Sequence, residues 1–362
     1  MRAHNFSAGP AVLPISVIEK LQSALPEFRN TELGLMEMSH RSGDFQSIHD
    51  SAKEKLRNLL NIPKDYHVLF LQGGASLQFY MVPLNILEPS ESAAYINTGT
   101  WSTKAVKEAK RCSQSFDCWE PNNGVFNTVP TDQVDVKDAK YLHYTSNNTI
   151  YGTQFHHIPK QEGIPLVADM SSDICSRPID VSKYDVIYAG AQKNLGPSGV
   201  TAVILSPWAV EQSRKNKREG GLPSMLNYGL MVDKDSMFNT PNTFGIFALD
   251  TMLSWLQELG GVESIAVQNE QKAKKIYDEI DNSPLWNPHA QSHCRSWMNI
   301  TWRAHHESLE QIFIQEADKE GFKGLKGHRS VGGIRASIYN ACPVGSVDAL
   351  LNFMKDFGQR HG

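Results

Sequence analysis

Val186-Ile-Tyr-Ala-Gly-Ala-Gln-Lys-Asn-Leu-Gly-Pro-Ser-Gly-Val-Thr-Ala-Val-Ile-Leu205 contains two five-residue apolar runs, 186–190 and 201–205, joined by a polar, glycine-rich turn. Each run has the length and bounding residues of a buried strand. The link between them, Leu195-Gly-Pro-Ser-Gly199 and its flanks, is too short for a crossover helix. It therefore predicts an antiparallel pair at one side of a sheet. A single lysine, Lys193, comes directly after the first of the two strands.

Four more apolar runs precede this stretch: 67–72, 93–97, 141–144 and 165–169. Helices are expected after Gly73-Gly74, over 75–84, and after Gly99, over 101–111. Strands separated by helices imply βαβ units and a mostly parallel sheet. Downstream, apolar residues recur at helical spacing over 244–258, Gly260-Gly261 stops that helix, and another runs over 262–280. An extended run at 297–302 and helices at 309–320 and 350–357 complete a smaller α/β unit. A chain of 362 residues exceeds what one core usually serves. The expected division is a large domain, 16–258, and a small one built from 1–15 and 259–362. The polar run 216–242 shows little periodicity and reads as a functional loop.

Composition is that of an ordinary globular protein, 40% hydrophobic and 20% charged. A net charge of −4 gives no electrostatic case for nucleic acid or an anionic membrane, so any anion must be held by a local cation cluster. The five cysteines, Cys112, Cys118, Cys175, Cys294 and Cys342, are odd in number and scattered, with no CxxC pair. Neither a disulfide framework nor a zinc site is indicated. The adjacent pairs His156-His157 and His305-His306 make poor chelates, because neighbours on a strand face opposite ways, and no metal is expected. With no apolar leader and no apolar run of membrane-spanning length, the expected location is the cytoplasm.

In parallel α/β sheets ligands sit at the carboxyl ends of the strands. Gly73-Gly74-Ala75-Ser76, Thr98-Gly99-Thr100-Trp101, Asn147-Asn148-Thr149, Asp169 and Gln192-Lys193 all stand at or just past such ends, so they share one edge. Each has an ordinary explanation alone: a turn, a packed tryptophan, a helix cap, a solvated lysine. Together they suit a phosphorylated pyridine aldehyde. The glycines and the helix N-terminus after them would take its phosphate. Asp169 would keep the ring nitrogen protonated, Trp101 would stack on the ring, and Lys193 would form a Schiff base and later act as a base. Ala189-Gly-Ala191 removes side-chain bulk where a planar ring needs room.

Several blocks, in order, carry a family resemblance: Asn5-Phe-Ser-Ala-Gly-Pro10, Met38-Ser-His-Arg41, Ala168-Asp-Met-Ser-Ser172, Ser176-Arg-Pro-Ile-Asp180, Tyr188 to Pro197, Ser236-Met-Phe-Asn-Thr-Pro241, Gly327-His-Arg-Ser-Val-Gly-Gly333 and Arg335-Ala-Ser-Ile-Tyr-Asn340. Over nearly its whole length the chain resembles the phosphoserine aminotransferases, a class V family of the fold-type-I pyridoxal-phosphate enzymes. The resemblance implies pyridoxal 5'-phosphate as cofactor, with Lys193 as Schiff-base lysine and Asp169 as pyridinium partner. Trp101 would be the stacking residue and Thr149 a hydrogen-bond donor, and Ala75, Ser76 and Gln192 would lie at the phosphate. Asn239 and Thr240 would reach the phosphate of a partner subunit, implying a homodimer. Ser76 stands where some members carry arginine and brings a hydroxyl without the charge.

Cations cluster at His40-Arg41, His328-Arg329 and Arg335. The resemblance implies that Arg335 forks onto a substrate α-carboxylate. His40, Arg41, His328 and Arg329 would hold a distal anion, partly across the dimer interface, and Ser7 would touch bound substrate. The expected reaction is reversible amino transfer between O-phospho-L-serine and 2-oxoglutarate, in serine biosynthesis and, in bacteria, on the phosphorylated hydroxythreonine analogue of pyridoxine biosynthesis. Two rivals share the superfamily: a small-substrate aminotransferase, and a cysteine desulfurase using Cys342. No GxGxxG comes after the first strand, which disfavours a nucleotide-binding dehydrogenase.

Overall fold

The apolar runs pair into one seven-stranded sheet. The computed structural model describes residues 2–161, 163–329 and 331–361, so Ser330 of the Gly327–Gly333 block lies outside the described residues. The strands are β1 (His67–Leu71), β2 (Ala94–Ile96), β3 (Phe116–Trp119), β4 (Leu142–Thr145), β5 (Leu166–Asp169), β6 (Val186–Gly190) and β7 (Thr201–Leu205), ordered β1-β7-β6-β5-β4-β2-β3. β2 to β6 are mutually parallel. β6 and β7 form the expected antiparallel pair, with Thr201 opposite Gly190. That pair does not end the sheet, because β1 adds antiparallel to the far side of β7, Leu71 opposite Thr201. β3 escaped the sequence reading because it is an edge strand with only partly buried residues, and it lacks the continuous apolar run of a central parallel strand.

Alternation along the strands feeds two cores. Val68 and Phe70 point into one, Leu69 and Leu71 into the other. Helices α1 (Gly43–Leu60) and α4 (Thr243–Glu258) cover the first face; α2 (Gly74–Ile86) and α3 (Thr100–Ala109) cover the second. α1 sets Phe45, Ile48, Ala52, Leu56 and Leu59 on one stripe. Ser42 Oγ caps it by accepting from Phe45 N at 3.2 Å. Asn242 Oδ1 caps α4 through Gly245 N at 2.9 Å, and Gly260, at φ +91°, ends it as the doubled glycine predicted.

A third core surrounds a smaller antiparallel sheet of β8 (Trp286–Pro288), β9 (Asn299–Ala304) and β10 (Ile334–Ser337). It is packed by α5 (Gly261–Asn282), α6 (Glu307–Lys319) and α7 (Val344–His361) around Trp302, Phe313 and Phe357. Phe6 enters this core from the far end of the chain, since His4–Asn5 pairs with Phe322–Lys323. α5 joins the two parts, sending Val262 and Ile265 into the first core and Ala273, Ile276 and Ile280 into the third.

Three expectations need correction. The strand at 297–302 starts two residues later, and the last helix extends well beyond 350–357 in both directions. The run 216–242 is not all loop: it contains a helix, Tyr228–Asp233, capped by Asn227 Oδ1 through Leu230 N at 3.0 Å. Six residues are too few to display a helical period. Among the described residues no helix is long and apolar enough to cross a membrane, and all five cysteines are free. One group with metal-ligating spacing exists among them, His49, Asp50 and Asp235, away from both histidine pairs. Lys53 Nζ already sits 2.5 Å from Asp235 Oδ1 and supplies a cation there.

Candidate active site

The parallel strands deliver their ends to one edge. Register places Thr145 opposite Asp169 and Thr201 opposite both Gly190 and Leu71. A cavity of about 330 Å³ opens above this edge. Ala75, Ser76, Trp101, Thr149, Asp169, Gln192 and Lys193 line it from the large sheet, and His328 and Arg335 from the smaller one.

Lys193 is buried at its floor. Its Nζ donates to Thr149 Oγ1 and to Ser172 Oγ, each at 2.8 Å, and those two hydroxyls are 2.6 Å apart. Burial pushes the amine down to about 8; the Asp169 charge works against that, while Arg335 reinforces it. Asp169 is 4% exposed. Its Oδ1 accepts from Ser171 N at 2.9 Å and Ser171 Oγ at 2.6 Å, and its Oδ2 makes no hydrogen bond among the described residues. Burial raises this carboxyl above its ordinary range, and the Ser171 bonds and Lys193 oppose the rise. A cation brought to the free oxygen would lower the pKa again and favour the carboxylate.

At the other end, Gly73 and Gly74 turn the chain with φ of +92° and +66°, and a Cβ on Gly73 would lie 2.4 Å from Leu77 Cδ2. α2 then begins without a side-chain cap. Its first N–H groups, beside Ser76, are left for an anion. Arg335 stands opposite Thr301 on β10 and reaches across to Thr149 O with Nη1 at 3.4 Å. Its Nε is buried without a partner among the described residues, a donor that awaits an acceptor. His328 is held below its ordinary pKa by burial first, then by the charges of Arg335, Arg329 and Lys104.

The structure does not bring every expected residue to this cavity. Asn239 lines a separate cleft beside Met225 and Met231, and Thr240 accepts from Gln72 Nε2 through its carbonyl at 3.1 Å. Arg41 and Arg329 are exposed, His40 is half-buried, and none of the three lines the cavity. Ser7 donates its N–H to Asn5 Oδ1 at 2.9 Å, while its neighbours Ala8 and Gly9 form the cavity wall. Ala189 and Ala191 pack in the core instead of making room for a ring. Gly190 makes room for Gln192, whose Oε1 would be 2.5 Å from an added Cβ. Sequence reading passed over Ser171, Ser172 and Tyr339. Tyr339 OH donates to Ala8 O at 2.7 Å and ties the N-terminal segment to the end of β10. Ser171 and Ser172 sit two and three residues after Asp169, but nothing in the string says which hydroxyl meets the lysine.

A buried lysine and a buried aspartate share the carboxyl edge of a mostly parallel sheet, with an uncapped helix N-terminus nearby. That layout, in this fold, defines a fold-type-I pyridoxal-phosphate transferase. The model of the family Aminotransferase class-V matches residues 3–350, and the chain belongs to that family. It is 50% identical over 364 residues to the phosphoserine aminotransferase of Lysinibacillus sphaericus, with 99% of each chain covered. It is 48% identical to that of Bacillus subtilis, again with 99% of each covered. The solved phosphoserine aminotransferase from Bacillus circulans subsp. alkalophilus superposes with a TM-score of 0.96 at 45% identity, covering 100% of this chain and 99% of that one. A PLP-bound phosphoserine aminotransferase from Trichomonas vaginalis gives 0.92 at 35% identity, covering 98% and 100%.

Proposed function

We propose that this protein is a pyridoxal-phosphate-dependent aminotransferase that moves the amino group reversibly between O-phospho-L-serine and 2-oxoglutarate, giving 3-phosphohydroxypyruvate and L-glutamate. The residues present fit the cofactor. Asp169 is a buried carboxylate lining the cavity whose Oδ2 makes no hydrogen bond among the described residues, the α2 N-terminus is uncapped, and Lys193 shares that cavity. Lys193 would hold the cofactor covalently, Asp169 its ring nitrogen, Trp101 its face, and Ala75, Ser76 and Gln192 its phosphate. When bound, the group supplies an electron sink for the pair released at the substrate Cα.

The chain's own groups do the rest. The Lys193 amine, titrating near 8, is close enough to neutrality to take a proton at Cα and return it. Thr149 and Ser172 hold that amine between them. Arg335 fixes the α-carboxylate with its unused donors. The charges of Arg329 and Arg335 both bear on His328, and this positive potential rewards a second anion. This pairing of two cationic stations with one lysine is the observation that carries the substrate reading, and the names of the relatives support it. A cysteine desulfurase is disfavoured: Cys342 is 3% exposed and burial pushes its thiol up to about 11.

We further infer a homodimer, with Asn239, Thr240, His40 and Arg41 presented to a partner's cavity, because all four lie outside their own. We keep the domain division 16–258 against 1–15 and 259–362 as part of this reading; α5 sends side chains into both cores, and Ala290 and Cys294 of the second part pack in the first core. We assign the enzyme to serine biosynthesis in the cytoplasm, where its free thiols stay reduced, and extend it to the phosphorylated hydroxythreonine analogue. One half-reaction tests the reading. Mix holoenzyme with phosphoserine, alanine or cysteine and follow the cofactor's visible absorption. Phosphoserine should convert it fastest by at least about tenfold, the scale of one charged contact; equal or faster conversion by alanine would refute the assignment.

A further inference from the structure

We propose that Lys104 is a specificity-determining residue, the same-subunit arm of the subsite for the substrate's distal anion. The inference rests on the doubly anionic substrate proposed above. On the large-sheet side, Lys193 is the sole cation among the described residues that line the cavity, and it is occupied at the floor. Ser76, in the first turn of α2, adds a hydroxyl and no charge. A distal anion therefore needs a cation from elsewhere on that side.

Lys104 lies one turn beyond Trp101 on α3, exposed, with Nζ 4.6 Å from the centre of the Trp101 ring. Trp101 itself lines the cavity. No carboxylate lies within 4.0 Å of Lys104 among the described residues, although Lys110 and Arg111, just past the end of the same helix, are both ion-paired. Across the cavity, the His328 imidazole feels the Lys104 charge together with those of Arg335 and Arg329. The lysine therefore belongs to the same positive field as the opposite wall. Like charges raise one another's energy, and an anion placed beside Lys104 and the two arginines relieves the repulsion. The Trp101 indole N–H is also buried with no acceptor among the described residues. A buried donor left open is costly, and a ligand oxygen would satisfy it. An anion between Trp101 Nε1, Lys104 Nζ and His328 answers all three observations. The competing explanation is that Lys104 only covers the indole face with its stem and charge.

The test is Lys104→Met in the holoenzyme, which keeps an apolar stem over Trp101 and removes the charge. Half-reaction dissociation constants are read for O-phospho-L-serine, L-glutamate and L-alanine at two ionic strengths. The expected result is a loss of about three- to tenfold for phosphoserine, the scale of one partly screened charge pair. Glutamate should lose less, alanine nothing, and the wild-type salt dependence for phosphoserine should flatten. Lys104→Arg should stay within about twofold of wild type, since it keeps the charge. Equal losses for all three substrates, or an unchanged phosphoserine constant, overturn the proposal. If wild type itself fails to prefer phosphoserine over alanine, the substrate reading falls and takes this inference with it. If that preference holds while Lys104→Met preserves it, this inference falls alone.

Discussion

Ser172→Ala should lower the pKa of the Lys193 amine by about one unit, the equivalent of one weakened charged hydrogen bond. In the native protein Ser172 Oγ accepts from Nζ at 2.8 Å, with Thr149 Oγ1 as the only other oxygen partner among the described residues. Both oxygens stabilise the charged amine against the burial that holds it near 8. A hydrogen bond to a charged group is worth roughly 1.5–3 kcal/mol, and one pKa unit corresponds to about 1.4 kcal/mol. Relaxation of Thr149 into the space recovers part of the loss, so the shift should be about one unit, toward about 7. The sign depends on which form is bonded: removing an acceptor disfavours the ammonium, and the pKa falls. The assay is the pH dependence of Lys193 labelling by an amine reagent in cofactor-free protein, read out by peptide mass spectrometry. The pH profile of the phosphoserine half-reaction in holoenzyme is read in parallel. Both midpoints should move down together, and Ser172→Thr should restore them. A midpoint unchanged or raised, in a variant whose urea midpoint matches wild type, would refute the reasoning. There is also a linkage consequence. The folded pKa lies below the ordinary 10.5, so between the two the unfolded chain binds more protons. The burial penalty on Lys193 is therefore complete below about pH 8 and relieved by about pH 10.5, and the variant should extend that window downward.

Other outcomes can be checked independently. Lys193→Ala should remove turnover and covalent retention of the cofactor while leaving the fold intact; retention of both would end the assignment. Arg335→Ala should weaken phosphoserine and glutamate binding alike by roughly 1.5–3 kcal/mol, about ten- to 150-fold in the half-reaction constants, and unchanged constants would place the carboxylate elsewhere. Gly152→Ala should destabilise the fold by about 2–4 kcal/mol in urea unfolding. Gly152 sits at φ +70°, and an added Cβ would lie 2.5 Å from Thr301 Oγ1 and 2.7 Å from Asn299 O on β9. A native urea midpoint would mean that this approach of the Gly152 turn to β9 is looser than the geometry indicates.

The edge of the large sheet was legible in the string of residues. Parallel strands must present their carboxyl ends together, so Gly73-Gly74, Thr149, Asp169 and Lys193 could be placed on one side without coordinates. Cap and stop signals worked for the same reason: Gly260 ends α4 through local backbone geometry alone. What local pattern could not supply was contact between distant side chains. Lys193 meets Ser172 across 21 positions and Thr149 across 44, and Arg335 reaches Thr149 O across 186. The Ala189-Gly-Ala191 turn looked like room for a ring and proved to be core packing plus space for Gln192. Lys104 carried no signal either, being one more lysine on an exposed helix face. Spacing of about 2 or 3.6 residues determines which face a side chain takes. Which hydroxyl, carbonyl or ring it then meets depends on how two separately built sheets close on each other, and only the tertiary structure decides that.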